Sequence, residues 1–307
     1  MQELKGKKLV LFGAGRSGEI FAENAKGLEV LAFADNDVKK QGQQLMGFPI
    51  IAPERIAESG CEVIVVTTVC PTQRIVEQLI SLGLGDIPLI TPDKAVLKGT
   101  QNHPFSHPLT KQIARELIVA LDELASRAGV DLYLDYGTLL GAFREQDFIA
   151  WDDDIDMSVK DEQLDALLVL VQKDKRWLPQ YPGVEWSVQV VTAGTHRLGV
   201  LIAFDNAPGE RCVLPLELAV TNRVVRDGQS VMSGKMLEFF CPASFFDGHD
   251  TVEFFGRRFK TPVNPTGYLD FIYGDWRKPK QNMSFSEYQG IREVPQDQVE
   301  EINYQKL

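Results

Sequence analysis

The stretch Lys8-Leu9-Val10-Leu11-Phe12-Gly13-Ala14-Gly15-Arg16-Ser17-Gly18 decides how the first part of this chain folds. A short apolar run passes at once into a glycine turn, and the residues through Ala25 continue it with helical character. Strand, glycine turn and helix in that order leave backbone N–H groups at a helix N-terminus, where they can cradle a phosphate. A second apolar run, Val30 to Ala34, ends in Asp35. That acid lies roughly 20 residues past the glycines, where a nucleotide-binding unit places its ribose-binding carboxylate. Glu62 to Thr67 reads as a fully buried parallel strand, and Gln73 to Leu82 as the helix after it.

Residues 1–98 are therefore expected to form a Rossmann-like, doubly wound α/β domain with a parallel sheet. Gly13, Gly15, Gly18 and Asp35 are its candidate nucleotide-binding residues. The glycines serve tight helix–strand packing equally well. No Tyr in the chain has Lys four positions later, so the catalytic pair of short-chain dehydrogenases and sugar epimerases is missing. With its Asp35-Asn36-Asp37 step, this segment resembles the small Rossmann-like modules attached to various sugar-modifying enzymes, which implies binding or regulation rather than catalysis.

At 307 residues the chain has room for two domains, each with its own core. A composition of 44% hydrophobic and 24% charged residues is that of an ordinary globular protein. Forty-three acids against 32 bases give a net charge of -11, which argues against a nucleic-acid partner or a broad basic face on lipid. No apolar run, Leu167 to Val171 included, approaches the roughly 18 residues a membrane span needs. The polar start from Met1 to Lys8 shows no signal-peptide pattern. Cys61, Cys70, Cys212 and Cys241 lie far apart without a CxxC spacing, as expected of buried reduced thiols in a cytoplasmic protein. Gly99, Asn102, His103, Pro104, His107 and Pro108 mark a linker over residues 99–109. His103 and His107 stand at metal-pair spacing, but Pro104 between them opposes the helix that spacing needs. From Thr110 a helix is expected, with Ile113, Leu117, Leu121, Leu124 and Ala128 on one face and Gly129 as its cap. It opens a second domain, 110–307.

That domain carries a strand, Val130 to Asp135, then Tyr136-Gly137-Thr138-Leu139-Leu140-Gly141-Ala142-Phe143-Arg144. Gly137 lets the backbone approach a ligand closely, and Thr138 caps a short helix while offering a hydroxyl to a phosphate. Next comes Trp151-Asp152-Asp153-Asp154-Ile155-Asp156-Met157-Ser158-Val159, four acids within five residues. An acidic run is commonly a solvated loop. Here Trp151, Ile155, Met157 and Val159 alternate with polar residues as in a half-buried strand, which sends Asp154 and Asp156 to one face, allows Asp152 to join them and turns Asp153 away. Carboxylates so placed repel unless a cation sits between them, and hard oxygen ligands suit Mg2+ or Mn2+. Glu217, between leucines in the apolar strand Val213 to Ala219, is the candidate third acid or the partner of a buried Arg. Asp205 is a rival that reads as a turn acid.

The segments Gly137 to Arg144 and Trp151 to Asp156, with the later Tyr268-Leu269-Asp270-Phe271-Ile272-Tyr273-Gly274-Asp275-Trp276-Arg277-Lys278-Pro279, resemble in order the motifs of the LicD family, which takes in the fukutin-related enzymes. The resemblance covers roughly residues 110 to 280. It implies an α+β, nucleotidyltransferase-type fold and metal-dependent transfer of a phospho-alcohol, commonly phosphocholine from CDP-choline, onto a cell-surface glycan. The partners would be a CDP-linked donor and a glycan acceptor, with peripheral contact where that glycan is membrane-linked. It further implies that Asp154, Asp156 and Glu217 serve the metal and the chemistry, while Gly137, Thr138, Asp152 and Asp153 line the substrate. Arg144 and Arg277 are candidate phosphate clamps. Trp276, with Tyr268 and Tyr273, would form an aromatic wall for a quaternary ammonium, or else Tyr268, Leu269, Ile272 and Tyr273 are one face of a core helix capped by Gly274. Transfer of ribitol phosphate or glycerol phosphate, nucleotidyl transfer, and a non-catalytic nucleotide-sugar sensor are the competing readings. The hairpin-like stretch Thr251 to Thr261 and the polar tail after Met283 are candidates for shaping the acceptor site.

Overall fold

The structure, a computed structural model, describes residues 4–25, 27–68, 72–92, 96–97, 103–234, 236–280, 288–295 and 298–307. Cys70 and Met283 lie outside the described residues. The chain divides into two compact units, 1–101 and 102–307.

In the first unit, β1 (Lys8–Phe12), α1 (Arg16–Asn24), β2 (Glu29–Ala34), β3 (Gln44–Leu45), β4 (Phe48–Ile51), β5 (Val63–Val66), α2 (Thr72–Ser81) and β6 (Leu89–Ile90) follow in order. The strands align as β3-β4-β2-β1-β5-β6, all parallel except the β3–β4 hairpin. Alternation along β1 explains the layers. Leu9 and Leu11 join Phe33, Val65 and Phe21 of α1 on one face, while Val10 and Phe12 join Ala32, Ile64 and the α2 residues Ile75 and Leu79 on the other. A β-carbon on Gly18 would collide with the carbonyl oxygen of Gly13, so this glycine lets α1 settle onto the turn; one on Gly15 would meet nothing within 4 Å.

The second unit runs through α3 (Pro108–Arg127), β7 (Leu132–Leu134), α4 (Tyr136–Arg144), β8 (Asp154–Lys160), α5 (Asp161–Lys173), β9 (Val184–Ala193), β10 (His196–Asn206) and β11 (Leu216–Arg226). It continues through β12 (Gln229–Ser233), β13 (Leu237–Pro242), β14 (Asp250–Phe254), β15 (Arg257–Thr261), α6 (Pro265–Tyr273), β16 (Ile291–Glu293) and β17 (Ile302–Lys306). Its mixed sheet has the order β14-β15-β7-β8-β11-β10-β9-β17, and the far end of β11 pairs with β12, which leads on to β13 and β16. At the centre β8 and β11 are parallel, with Glu217 opposite Asp154 and Ala219 opposite Asp156. Ile155, Met157 and Val159 of β8 and Leu218 and Val220 of β11 point to the other face, into a core shared with Ile113, Leu117 and Leu121 of α3 and Leu164, Leu167 and Val171 of α5.

Helix α3 begins two residues before the expected Thr110, because Pro108 fits a first helical turn and the Nδ1 of His107 accepts the Thr110 N–H at 3.3 Å. His107 is thus a helix cap rather than half of a metal pair. Gly129, at φ +73°, follows the helix end as expected. Cys241 is buried, whereas Cys61 and Cys212 are partly exposed, unlike the buried thiols expected. Asp205 stands exposed near the end of β10, in a strand rather than the expected turn. No helix among the described residues is long and apolar enough to cross a membrane.

Steric overlap of a new side chain with a backbone oxygen costs about 1–3 kcal/mol. Gly18→Ala is therefore expected to speed hydrogen exchange of the β1 amides more than tenfold, while Gly15→Ala stays near wild type; mass spectrometry of exchanged peptides measures both.

Candidate active site

Strand β8 starts at Asp154, while Trp151, Asp152 and Asp153 lie in the turn before it. The alternation expected from Trp151 onward therefore fails at its first residues. Asp153 does not turn away: carboxylate oxygens of Asp152, Asp153 and Asp154 all lie within 4.8 Å of one another. Asp156, two residues along β8, shares the face of Asp154, with buried Ile155 opposed between them. Asp154 thus groups with Asp152 and Asp153 as well as sharing a strand face with Asp156, the partner expected from the sequence.

At about 5 Å and an effective dielectric of about 20, each carboxylate pair repels by about 3 kcal/mol. A helix N-terminus returns only about 0.3–1 kcal/mol. Three hard carboxylate oxygens in one place are of the type that suits Mg2+ or Mn2+.

The first turn of α4 sets the backbone under these acids. Asp135 caps the helix, its Oδ1 accepting the Tyr136 N–H at 3.0 Å. Tyr136 is held at φ +36°, a left-handed conformation that is costly for a bulky residue and concentrates at functional sites. A β-carbon on Gly137 would overlap the carboxylate of Asp152, so this glycine leaves that carboxylate its place. Thr138 is buried, and its Oγ1 accepts the Asp156 N–H at 2.8 Å. The Asp135 N–H reaches the Asp156 carbonyl at 3.1 Å. Two sequence expectations change accordingly. The Asp152 carboxylate occupies the space beside Gly137 that was assigned to a phosphate, and the Thr138 hydroxyl fixes the strand instead of facing a substrate.

Glu217 is exposed, so it carries no burial cost. Its place opposite Asp154 does put it on the acidic face. The buried arginine is Arg223, and its partner is Asp135: Nη2 stands 2.5 Å and Nε 3.1 Å from Asp135 Oδ2. Arg144 pairs with Glu145 at 3.0 Å, donates to the Trp276 carbonyl at 3.4 Å and stacks over Trp151. Arg277 pairs with Asp270 at 2.8 Å and stacks on Trp276. Both expected clamps are therefore committed to protein groups. Tyr268 and Trp276 are buried, Trp276 donating to Asp270 at 2.8 Å, and Tyr268, Leu269 and Ile272 form a core face of α6 ended by Gly274 at φ +65°. In place of the expected aromatic wall, Tyr268 lies on the core face of α6, and Trp276, beyond Gly274, is buried as well.

A different aromatic group lies near the acids. The ring centroid of Tyr136 is 5.8 Å from that of Phe239 and 6.4 Å from that of Tyr288, and Tyr273 stands 5.1 Å from Tyr288. Burial, and then the charges of Asp152, Asp156 and Asp154, hold the Tyr288 phenol well above its ordinary range. Tyr273 is shifted upward by burial, by Tyr288 and by the charges of Asp156 and Asp152. Sequence reading missed Asp135, Tyr136, Arg223 and Tyr288. An Asp at a strand–helix junction and an Arg inside an apolar strand were signals for two of them.

In the first unit, Asp35 Oδ2 accepts the Ala14 N–H at 2.8 Å and the Lys40 ammonium at 3.1 Å, and its Oδ1 accepts the Asp37 N–H. Both oxygens of the expected ribose acid are engaged with this chain.

Because only the mobile end of Asp152 opposes a β-carbon at position 137, Gly137→Ala should fold normally and push that carboxylate aside. Calorimetric titration with Mn2+ is expected to show affinity at least fivefold weaker than wild type, with an unchanged circular dichroism spectrum.

Residues 129–264 match the family model described as LicD/FKTN/FKRP, nucleotidyltransferase domain, and residues 5–87 match one described as C2185-like, N-terminal. The first match ends before the motif at Tyr268 to Pro279. No curated protein matches the chain. Among solved structures, a UDP-D-quinovosamine 4-dehydrogenase from Vibrio fischeri is 24% identical over 30% of this chain and 84% of that one, at a TM-score of 0.26. RSP, a Rex-family repressor, in complex with beta-NADH is 16% identical over 31% of this chain and 57% of that one, at 0.25. A biliverdin reductase from Synechocystis sp. PCC 6803, in complex with biliverdin and NADP+, is 9% identical over 89% and 92%, at 0.24. Scores this low decide neither fold nor ligand. Residues 129–264 of the second unit thus carry a match to the LicD family model, which supports assigning that segment to the family.

Proposed function

We propose that the second unit, with a nucleotidyltransferase-type fold, transfers a phospho-alcohol from a CDP-linked donor to a hydroxyl of a cell-surface glycan or its precursor. Membership of the LicD family implies phosphotransfer of a phospho-alcohol. The observation that carries the reading is the convergence of the Asp152, Asp153 and Asp154 carboxylates beside the first turn of α4. Asp154 and Asp156 on β8, with Asp152 and Asp153 before it, would hold Mg2+ or Mn2+. The ion, when bound, offsets the negative charge of the donor pyrophosphate.

The chain's own residues do the rest. The first turn of α4 fixes the Asp156 peptide, so the acids keep one arrangement while the donor binds. The acceptor oxygen attacks the alcohol-bearing phosphorus, the bond from that phosphorus to the bridging oxygen breaks, and CMP leaves with the electron pair. Glu217, exposed and opposite Asp154 in the sheet register, would take the acceptor's proton.

The rings of Tyr136, Tyr273 and Tyr288 near these carboxylates favour a cationic alcohol, hence phosphocholine from CDP-choline over ribitol phosphate or glycerol phosphate. In the first unit, nucleotide binding stays a proposal that rests on the open backbone at Gly15 and uses no ribose contact through Asp35.

With CDP-choline, Mg2+ and glycan acceptors, CMP release is expected and EDTA abolishes it; absence of release from CDP-choline, CDP-ribitol, CDP-glycerol and CDP-ethanolamine alike contradicts the reading. Asp154→Asn and Asp156→Asn should each lose more than tenfold in turnover with the fold intact. A cation–π contact is worth about 1 kcal/mol, or about fivefold. Tyr273→Leu or Tyr288→Leu should therefore raise the KM for CDP-choline about fivefold and leave that for CDP-glycerol within twofold.

A further inference from the structure

We propose that Arg223 is a positioning residue of this site: its buried guanidinium, acting through Asp135, sets where the Asp152 to Asp156 carboxylates stand. The inference rests on the proposed metal site and adds to it a residue outside the acidic segment. Arg223 is only 3% exposed, so it meets neither solvent nor a phosphate. All three of its nitrogens are used on this chain. Nε donates to Asp135 and to Ser158 Oγ at 3.1 Å, Nη2 to Asp135 and to the Tyr268 hydroxyl at 2.8 Å, and Nη1 to Ser230 Oγ at 3.4 Å. The guanidinium also lies 4.1 Å over the Phe246 ring.

Two of these contacts lead to the acids. Ser158 is two residues beyond Asp156 on the same face of β8, so one guanidinium edge touches the acid-bearing strand itself. Asp135 carries the other link. Its Oδ2 takes the guanidinium and its Oδ1 takes the Tyr268 hydroxyl, at 2.5 Å, and the Tyr136 N–H; its own N–H holds the Asp156 carbonyl. The helix that Asp135 caps brings Thr138 to the Asp156 N–H and Gly137 to the Asp152 carboxylate. A planar fork reaches Asp135 and Ser158 at once, which a point charge on a flexible stem cannot do. Substitution by Lys therefore keeps the charge and breaks the alignment.

The test measures Mn2+ affinity by electron paramagnetic resonance of the free ion, independently of turnover, alongside circular dichroism and the thermal midpoint. Folded Arg223→Lys is expected to bind Mn2+ at least tenfold more weakly than wild type. Asp135→Asn, which keeps a capping oxygen and loses the charge, is expected to change in the same direction and carries the test where Arg223→Lys does not fold. Leu269→Ala, a core truncation in α6, supplies the structural control and should lower the midpoint with Mn2+ affinity within twofold of wild type. Wild-type affinity in folded Arg223→Lys, or equal weakening in Leu269→Ala, overturns the proposal, as does a wild-type chain that binds no Mn2+. Weakened Mn2+ binding in a protein that releases no CMP from any donor supports the positioning role and counts against the proposed reaction alone.

Discussion

The peptide of Asp156 is gripped on both sides: the Thr138 hydroxyl takes its N–H, and the N–H of Asp135 reaches its carbonyl. Both partners belong to the strand-to-helix step that opens α4, so β8 and that helix cannot shift independently. The rest of the second unit follows from this junction. Sheet pairing places Glu217 opposite Asp154, the apolar side of β8 and β11 faces the α3 and α5 layer, and the acids are left on the remaining face. Repulsion of about 3 kcal/mol per carboxylate pair would loosen a flexible segment, whereas a rigid one keeps the acids together.

The same junction stores strain. Tyr136 stands at φ +36° between a buried ion pair beneath and acids above. Breaking a buried ion pair by removing one partner costs about 3–5 kcal/mol, because the remaining charge is left uncompensated. A network with that penalty keeps Tyr136 in a conformation it would otherwise leave, and with it the ring that meets Phe239 and Tyr288. The geometry of the candidate site is thus fixed from below, by groups no substrate touches.

Much of this was legible in the residues. The glycine turn after Lys8 to Phe12 and the buried run at Val63 to Val66 read as a parallel α/β unit because aliphatic runs of that length, punctuated by glycine, leave few alternatives. The LicD motifs located the acids. Period-two alternation misplaced Asp153, since it holds only where a strand exists and β8 begins one residue later. Glu217 was read as buried because both neighbours are leucines, yet those leucines face the core and the residue between them faces out. Asp135 and Arg223 are 88 residues apart and meet through the pairing of β7 with β8 and of β8 with β11, which local spacing does not encode. The same holds for Asp35, whose engagement by Lys40 depends on a loop conformation and not on spacing from the glycines.

On the proposed function, the acids between Asp152 and Asp156 form one divalent-cation site facing a CDP-linked donor. Crystals grown with Mn2+ and CDP, examined by anomalous diffraction at the manganese edge, test it most directly. A manganese peak is expected about 2.1 Å from carboxylate oxygens that include Asp154, with the CDP phosphates against the ion. Manganese bound away from the Asp152 to Asp156 segment, or CDP held with no ion at these carboxylates, would contradict it.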